Sequence, residues 1–337
     1  MRKTALIIGV SSQDGSYLAE SLLDKDYEVV GTIRRSTSYD KANIGALGSR
    51  IKIESADLTD PASLDSVIRR YTPDEIYNFA AQSVPADSWS HPFYTGEVTA
   101  LGPVRVFEAV RNICPQAKVY QATSREIYGN IIAEYANEQT PIDANNPYGI
   151  AKAYAHMMAK TYREAHDMFV CGGILFNHES PRRSLHFVTR KVTVAVACIK
   201  NGLKDVPLNE GGQPLVDAEG MVSLGDLDCV RDWGFAKEYV EAAWLMLQRD
   251  TPMDYVIGTG TSFSVRDLCR VAFDHVDLEW EDHVRTDKEF MRPTEITALK
   301  ADSSLAKADL GWQPETSFED LVRLMVDADL RCFRKNL

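Results

Sequence analysis

Short apolar runs alternate with amphipathic stretches through the first half of the chain. Thr4–Ile8, Glu28–Ile33, Ile51–Ser55, Glu75–Phe79, Lys118–Ala122 and Phe169–Leu175 have the length and composition of buried strands. Ser16–Asp24, Ser63–Tyr71, Val98–Ile113 and Tyr148–His166 carry apolar residues at helical spacing. The alternation predicts an α/β fold, a doubly wound parallel sheet of Rossmann type with helices on both faces. Ligands of such sheets bind beyond the carboxyl ends of the strands, and Gly9, Asp57, Ala80, Ser124 and Asn177 all follow strands.

After Asn177 the rhythm changes. Helices are expected at Val188–Asn201, Ala236–Arg249, Val265–His275 and Phe318–Phe333, separated by long polar loops, while Tyr255–Gly258 reads as a strand returning to the main sheet. The pattern divides the chain into a dinucleotide-binding domain, residues 1–180 plus 225–260, and a smaller, discontinuous lobe, residues 181–224 plus 261–337, with substrate between them. Lys204–Gly220 stands out as rich in Gly, Pro and acids. In it Val206-Pro207-Leu208 and Pro214-Leu215-Val216 flank a turn-forming centre, which predicts a small hairpin confined by its prolines to an edge.

Composition narrows the possibilities. Hydrophobic content of 45% and charged content of 26% in 337 residues are those of a soluble globular chain with room for a full core. A formal charge of -12, with no basic block to offset it, argues against a nucleic-acid binder. The cysteines, Cys114, Cys171, Cys198, Cys229, Cys269 and Cys332, show no Cys-x-x-Cys spacing, so neither a metal cluster nor a disulfide framework is expected. Met1 leads directly into a strand and no apolar run reaches membrane-spanning length, so no membrane partner and a cytoplasmic location are expected.

Candidate chemistry concentrates between Gln121 and Lys152. Tyr148 and Lys152 are one helical turn apart, and an ammonium beside a phenol favours the phenolate, a usable base. Ser124 and Glu126 follow the fifth strand at alternate positions, which in extended chain would deliver a hydroxyl and a carboxylate on one face. Alone, a tyrosine with a lysine four residues on is an ordinary solvated helix face; the surrounding fold decides.

Strand, glycine turn and helix in the order Thr4–Ile8, Gly9 to Gly15, Ser16–Asp24 are the context in which a glycine fingerprint binds a dinucleotide pyrophosphate. The turn supplies Gly9, Ser12, Gln13, Asp14 and Gly15, with Ser12 at the usual middle glycine and its hydroxyl able to donate to a phosphate. Arg34 and Arg35 end the second strand where an acidic residue would accept a ribose 2′-hydroxyl; arginines suit a 2′-phosphate and predict NADP. Asp57 and Leu58 fall at the adenine edge, and the small Ala80 and Ala81 allow close approach of a cofactor.

These motifs resemble the extended short-chain dehydrogenases/reductases, and within them the GDP-mannose 4,6-dehydratase family, over nearly the whole chain. The resemblance rests on Gln13 to Leu18, Arg34-Arg35-Ser36, Ala81-Gln82-Ser83, Leu175 to Arg183, Phe187 to Lys191, Arg231-Asp232-Trp233-Gly234 and Arg292-Pro293-Thr294-Glu295. It implies a nucleotide-sugar dehydratase in which Tyr148 removes the sugar 4-hydroxyl proton as C4 hydride passes to NADP. Lys152 would hold the nicotinamide ribose, and Glu126 would take the C5 proton as water leaves from C6. It places Ser124 with these catalytic groups and His178 and Arg183 near the cofactor. Ser83, Asn177, Val188, Lys191, Arg231, Arg292 and Glu295 fall at substrate-contacting positions. It also implies a homodimer through the helices Val98–Ile113 and Tyr148–His166, and a homotetramer if the loop from Arg35 to Gly45 reaches a neighbour's cofactor.

The chain departs from that family at four places. Ser124-Arg125-Glu126 stands where the family reads Thr-Ser-Glu, Ser12 replaces a glycine, Val84 replaces a histidine, and the family lacks most of Lys204–Gly220. Arg125 either faces the sugar and favours an unusual hexose, or faces away toward a carboxylate. The competing readings are a nucleotide-sugar epimerase on the same scaffold and a non-catalytic nucleotide- or NADP-binding regulator. A metal site at His178-Glu179 lacks ligand spacing, and a hydrolase triad at Ser124 lacks its Gly-x-Ser-x-Gly turn.

Overall fold

The computed structural model describes residues 2–34, 42–131, 133–203, 205–209, 211–290 and 299–334. Seven strands form the main sheet: β1 (Thr4–Ile8), β2 (Glu28–Ile33), β3 (Lys52–Ser55), β4 (Glu75–Asn78), β5 (Lys118–Ala122), β6 (Val170–Leu175) and β7 (Tyr255–Ile257). Their order is β7-β6-β5-β4-β1-β2-β3, and every neighbouring pair is parallel. The order reverses between β1 and β4, which opens the crevice where doubly wound sheets take their ligands.

The helices that cover the sheet are α1 (Gln13–Asp24), α2 (Pro61–Tyr71), α3 (Gly102–Ile113), α4 (Pro147–His166) and α6 (Ala236–Gln248); α5 (Val188–Lys200), α7 (Val265–Asp274) and α8 (Phe318–Cys332) build a second core. Side-chain alternation splits each strand between two faces. Ala5 and Ile7 of β1 pack with Leu18 and Leu22 of α1 and with α6, whereas Leu6 and Ile8 pack with Leu64 and Ile68 of α2, Phe107 of α3 and Tyr162 of α4. The apolar continuity of these strands follows from burial on both faces.

Two departures from the expected elements have local causes. The helix expected from Val98 begins as a π-turn, Gly96–Leu101, and turns α only at Gly102. Pro103 has no N–H to donate to the Thr99 carbonyl, so the usual ladder is broken there. Two short helices, Pro85–Ser90 and Pro92–Thr95, follow β4 where only a loop was expected.

The second core joins α5, α7 and α8 around Val192, Leu268, Phe273, Phe318 and Val322. Val222–Leu224 pairs with Val284–Thr286 inside it, while Trp233–Phe235 pairs in parallel with Asn177–Glu179, the continuation of β6. That pairing brings residues far apart in sequence to one wall beyond the sheet's carboxyl edge. Among the described residues no helix is long and apolar enough to cross a membrane.

Candidate active site

The glycine turn after β1 is tight and pre-formed. Gly9 has φ +88°, and a Cβ there would lie 3.1 Å from the Ala80 nitrogen, so β1 and β4 end in close contact. Ser12 is the N-cap of α1, its Oγ accepting the Gly15 N–H at 3.0 Å. The helix therefore starts at Gln13, earlier than expected, and the Ser12 hydroxyl proton remains to donate. A helix N-terminus with a serine cap and a left-handed glycine before it fits a dinucleotide's pyrophosphate.

The residues around this turn are more tied to one another than their sequence positions indicate. His178, expected at the cofactor, uses both ring nitrogens on the protein: Nδ1 on the Phe176 carbonyl at 2.7 Å and Nε2 on Asp14 Oδ2 at 3.0 Å. A ring so engaged has no nitrogen left for a ligand, so at the cofactor it would act by position and charge. The pair shifts both groups toward charge: His178 is raised by Asp14 against the cost of its burial, and Asp14 is lowered by His178 in spite of its own. Gln13 Nε2 donates to the His178 carbonyl at 3.0 Å and its Oε1 accepts from Ser180 at 2.7 Å. Arg183 lies 3.1 Å from Glu179 and over the Phe187 ring at 3.4 Å.

At the adenosine end the picture is more open. Arg34 is exposed and donates to Tyr94 Oη at 2.7 Å. Arg35, Arg292 and Glu295 lie outside the described residues. Asp57 Oδ1 accepts from the Thr59 N–H and hydroxyl, at 2.8 and 2.7 Å, and Leu58 is buried against Gly102. Ala81 is half-buried and Ser83 exposed.

The chemical groups beyond β5 come together by a route the alternation of a strand does not describe. The strand ends at Ala122, and Arg125–Tyr128 is a 3-10 turn capped by Ser124, whose Oγ accepts the Glu126 N–H at 3.3 Å. Ser124 lies beside the Tyr148 phenol and favours its ionised form, whereas Glu126 lies close enough to disfavour it. Asn146 caps α4 by accepting from Gly149 at 2.8 Å while its Nδ2 donates to Glu126 Oε2 at 2.9 Å. Gly149 is needed there, since a Cβ would fall 2.6 Å from the Glu126 carbonyl. Hydroxyl, carboxylate and phenol are thus neighbours, with Glu126 and Tyr148 buried and Ser124 partly exposed.

Burial dominates the setting of both Tyr148 and Lys152. Burial pushes the phenol up to about 12, and the lowering contributions are Ser124 first and then Arg183. Lys152 is itself buried, which brings it down to about 8, and its Nζ donates to the Ala122 carbonyl at 2.8 Å, 5.8 Å from the centroid of the tyrosine ring. Arg125, 3% exposed, carries its guanidinium 6.0 Å from the Phe176 ring, which packs with Ile127, Tyr128 and Leu299 under the turn.

A cavity of about 560 Å³ opens beside this cluster, within the range of small-molecule sites. Asn177, Val188, Lys191 and Arg231, all expected at the substrate, line it; Ser83 does not, although Val84 does. Ser124, Glu126 and Tyr148 are not part of its wall either. The two are joined through Pro85–Ser90: Ser88 Oγ accepts the Tyr148 N–H at 3.3 Å, and Pro85, Asp87 and Trp89 line the cavity. Residues not singled out from the sequence include Asn146, which Asn-Pro before a helix could have signalled as a cap, Glu179 and Phe187, which lie in the motifs quoted for the resemblance, and Trp89, which carried no signal.

A doubly wound sheet with a glycine turn, and buried Tyr148, Lys152 and Glu126 beside a partly exposed Ser124, defines an enzyme of the extended short-chain dehydrogenase/reductase type, built for a nicotinamide dinucleotide. The family model for GDP-mannose 4,6 dehydratase matches residues 6–325, and the chain belongs to that family. It is 44% identical to GDP-mannose 4,6 dehydratase 1 of Arabidopsis thaliana, covering 99% of this chain and 91% of that one. It is 43% identical to GDP-mannose 4,6 dehydratase of Drosophila melanogaster, covering 99% and 88%. Among solved structures, dTDP-glucose 4,6-dehydratase from Bacillus anthracis in complex with NAD shares the fold, with a TM-score of 0.81 at 19% identity over 99% of both chains.

Proposed function

We propose that the protein removes water from GDP-mannose to give its 4-keto-6-deoxy form, with NADP as the bound cofactor. The observation that carries this reading is the meeting of the Tyr148 phenol with both the Ser124 hydroxyl and the Glu126 carboxylate, in a chain of this family. A 4-epimerase needs the phenol and hydroxyl; the carboxylate held by Asn146 is the group that an elimination adds.

When bound, the cofactor accepts hydride from C4 and returns it to C6, and its oxidised ring brings a positive charge. Tyr148, assisted by Ser124, takes the proton of the sugar 4-hydroxyl. A phenol pushed up to about 12, with the lowering by Ser124 already included, is a poor base at neutral pH, so the positive charge of a bound oxidised cofactor would have to bring it down. The 4-keto group would acidify C5, Glu126 would remove that proton and pass it to the departing 6-hydroxyl, which leaves as water, and the proton held by Tyr148 would return to C5 as hydride adds at C6. Lys152, fixed to the end of β5 through Ala122, holds the nicotinamide ribose. Lys191 and Arg231 in the cavity wall meet the diphosphate, with Asn177 between them and the reacting sugar.

NADP is favoured over NAD by Arg34, whose guanidinium stands exposed at the end of β2 with one nitrogen on Tyr94. The sheet with its flanking helices forms the dinucleotide domain, and the core of α5, α7 and α8 the substrate lobe. A homodimer is supported by an apolar face on two adjacent elements: Ile150, Tyr154 and Met157 of α4, at 56%, 41% and 57% exposure, beside Phe93 at 90% and Leu101 at 39%. Mass spectrometry of the purified protein incubated with NADP and a panel of nucleotide sugars tests the function. Loss of one water from GDP-mannose is expected; inversion at C4 without water loss would replace this reading with the epimerase.

A further inference from the structure

The segment set apart by its composition does form a hairpin, and one that is anchored. Lys204 and Glu210 lie outside the described residues. The Leu215 N–H donates to the Pro207 carbonyl at 2.8 Å, Leu208 and Pro214 form an antiparallel bridge, and the Asn209 N–H donates to the Gln213 carbonyl at 2.7 Å. Leu215 and Val216, 4% and 8% exposed, bury the base of the hairpin in the second core. At the tip, Asn209 Oδ1 accepts from the N–H groups of Gly211 at 2.9 Å and Gln213 at 3.0 Å.

That tip does not point into empty solvent. Asn209, Gly211 and Gln213 line the same cavity as Lys191 and Arg231. The cavity has a chemical polarity that says which end they occupy. One end is set by Val84–Ser90 and Asn177, next to the reacting groups, through the bond between Ser88 and Tyr148. Lys191 on α5 and Arg231 are the cations suited to phosphates. The remaining wall, Ser223–Asp226, Cys229, Val265 and the hairpin tip, belongs to the second core, away from the sheet. A nucleoside diphosphate sugar laid along this order, sugar first, puts its base against the hairpin.

We propose that the tip of this hairpin is a binding element of the substrate site, with the Gln213 carboxamide and the Asn209 amide nitrogen hydrogen-bonding the base end of the nucleoside diphosphate sugar. The proposal rests on the reading of the substrate as a GDP-sugar. A base edge presents donors and acceptors together, and a carboxamide answers both. Asn209 has given its oxygen to the turn and offers donors only; Gln213 is exposed, and among the described residues its side-chain amide makes no hydrogen bond. The tip is already closed by its own backbone bonds, so little ordering is lost when a base meets it.

Titration calorimetry on the full chain separates the alternatives. Gln213→Ala should weaken GDP and GDP-mannose by the same factor, about fivefold for one neutral hydrogen bond, with KM for GDP-mannose rising in step. Leu208→Ala, on the hairpin at 59% exposure and outside the cavity wall, should leave both affinities unchanged and controls for damage to the hairpin itself. Unchanged GDP affinity in Gln213→Ala overturns the proposal, and so does a loss confined to GDP-mannose, which would put the hairpin at the sugar. If the unmodified protein binds a different nucleoside diphosphate in place of GDP, the substrate reading fails instead, and the same comparison made with that nucleotide still decides the hairpin.

Discussion

Asn146 performs two jobs with two different atoms, and substitutions can separate them. Its Oδ1 caps α4 and its Nδ2 holds the Glu126 carboxylate. Asn146→Ser keeps an oxygen able to cap but removes the donor, whereas Asn146→Ala removes both. Loss of the cap costs about 1 kcal/mol of stability. The bond to a buried carboxylate is stronger, about 1.5–3 kcal/mol, and without it Glu126 is free to leave the orientation beside Tyr148. Expressed as a population of the competent orientation, that is roughly a tenfold to hundredfold fall in elimination rate. Asn146→Ser should therefore melt above Asn146→Ala, by about the 1 kcal/mol of the cap it keeps, yet turn over GDP-mannose at least about tenfold more slowly than the unmodified protein. Because the oxidation step does not need Glu126, reduced nicotinamide should accumulate during turnover, visible by its absorbance in stopped flow. Unimpaired turnover by Asn146→Ser, or a loss matched by its loss of melting temperature, would show that Asn146 is only a cap and that Glu126 needs no holding.

The ion pair of His178 and Asp14 makes stability depend on pH at both ends. Asp14 is depressed in the fold, so its contribution is present above its unfolded value near 3.8 and fades as pH falls through the folded one; His178 is raised, so its contribution is full below 6.5 and is lost as pH rises through its folded value. Melting measured against pH should be flattest between those values, and His178→Gln should remove the alkaline decline; an unchanged profile refutes the pairing. Arg34→Ala should weaken NADP by roughly 1.5–3 kcal/mol and leave NAD nearly unaffected, as read by fluorescence titration; equal losses would place the 2′-phosphate elsewhere. Ile150→Glu with Met157→Glu should yield a folded monomer by light scattering, and an intact dimer would show that the apolar face of α4 is not the contact.

The sheet was legible because its inner strands are buried on both sides and read as apolar runs bounded by turns, whereas β3, at the sheet edge, is largely exposed rather than buried as expected. β1, β2 and β5 have the expected ends, and β3, β4, β6 and β7 differ from expectation by one residue at an end. The elements that escaped depend on contacts the chain makes only once folded. The π-turn before α3 is a local consequence of Pro103, readable in hindsight, but Pro85–Ser90 is a helix of few apolar residues that exists because Ser88 meets the start of α4. At the site, Tyr148, Glu126 and Ser124 were identified from type and spacing, yet the assumed alternation past Ala122 gave way to a capped 3-10 turn. The direction of Lys152 and the closed bonding of His178 depend on burial and on partners distant in sequence, Ala122 and Asp14, which spacing does not reveal.

The parallel pairing of Trp233–Phe235 with Asn177–Glu179 has a consequence for the order in which the protein becomes active during synthesis. All of Ser124, Glu126, Tyr148 and Lys152 precede β6, so a nascent chain acquires its reactive groups early. Asn177 and Glu179, however, gain their neighbouring strand only after α5 and the hairpin have been made, and β7 closes the sheet edge later still. Such pairings between distant segments form slowly. A chain emerging from the ribosome therefore carries its proposed acid and base well before it has a wall to hold a nucleotide sugar against them, and catalytic competence should arrive with the last of the long-range strand pairings rather than with the residues proposed to perform the chemistry.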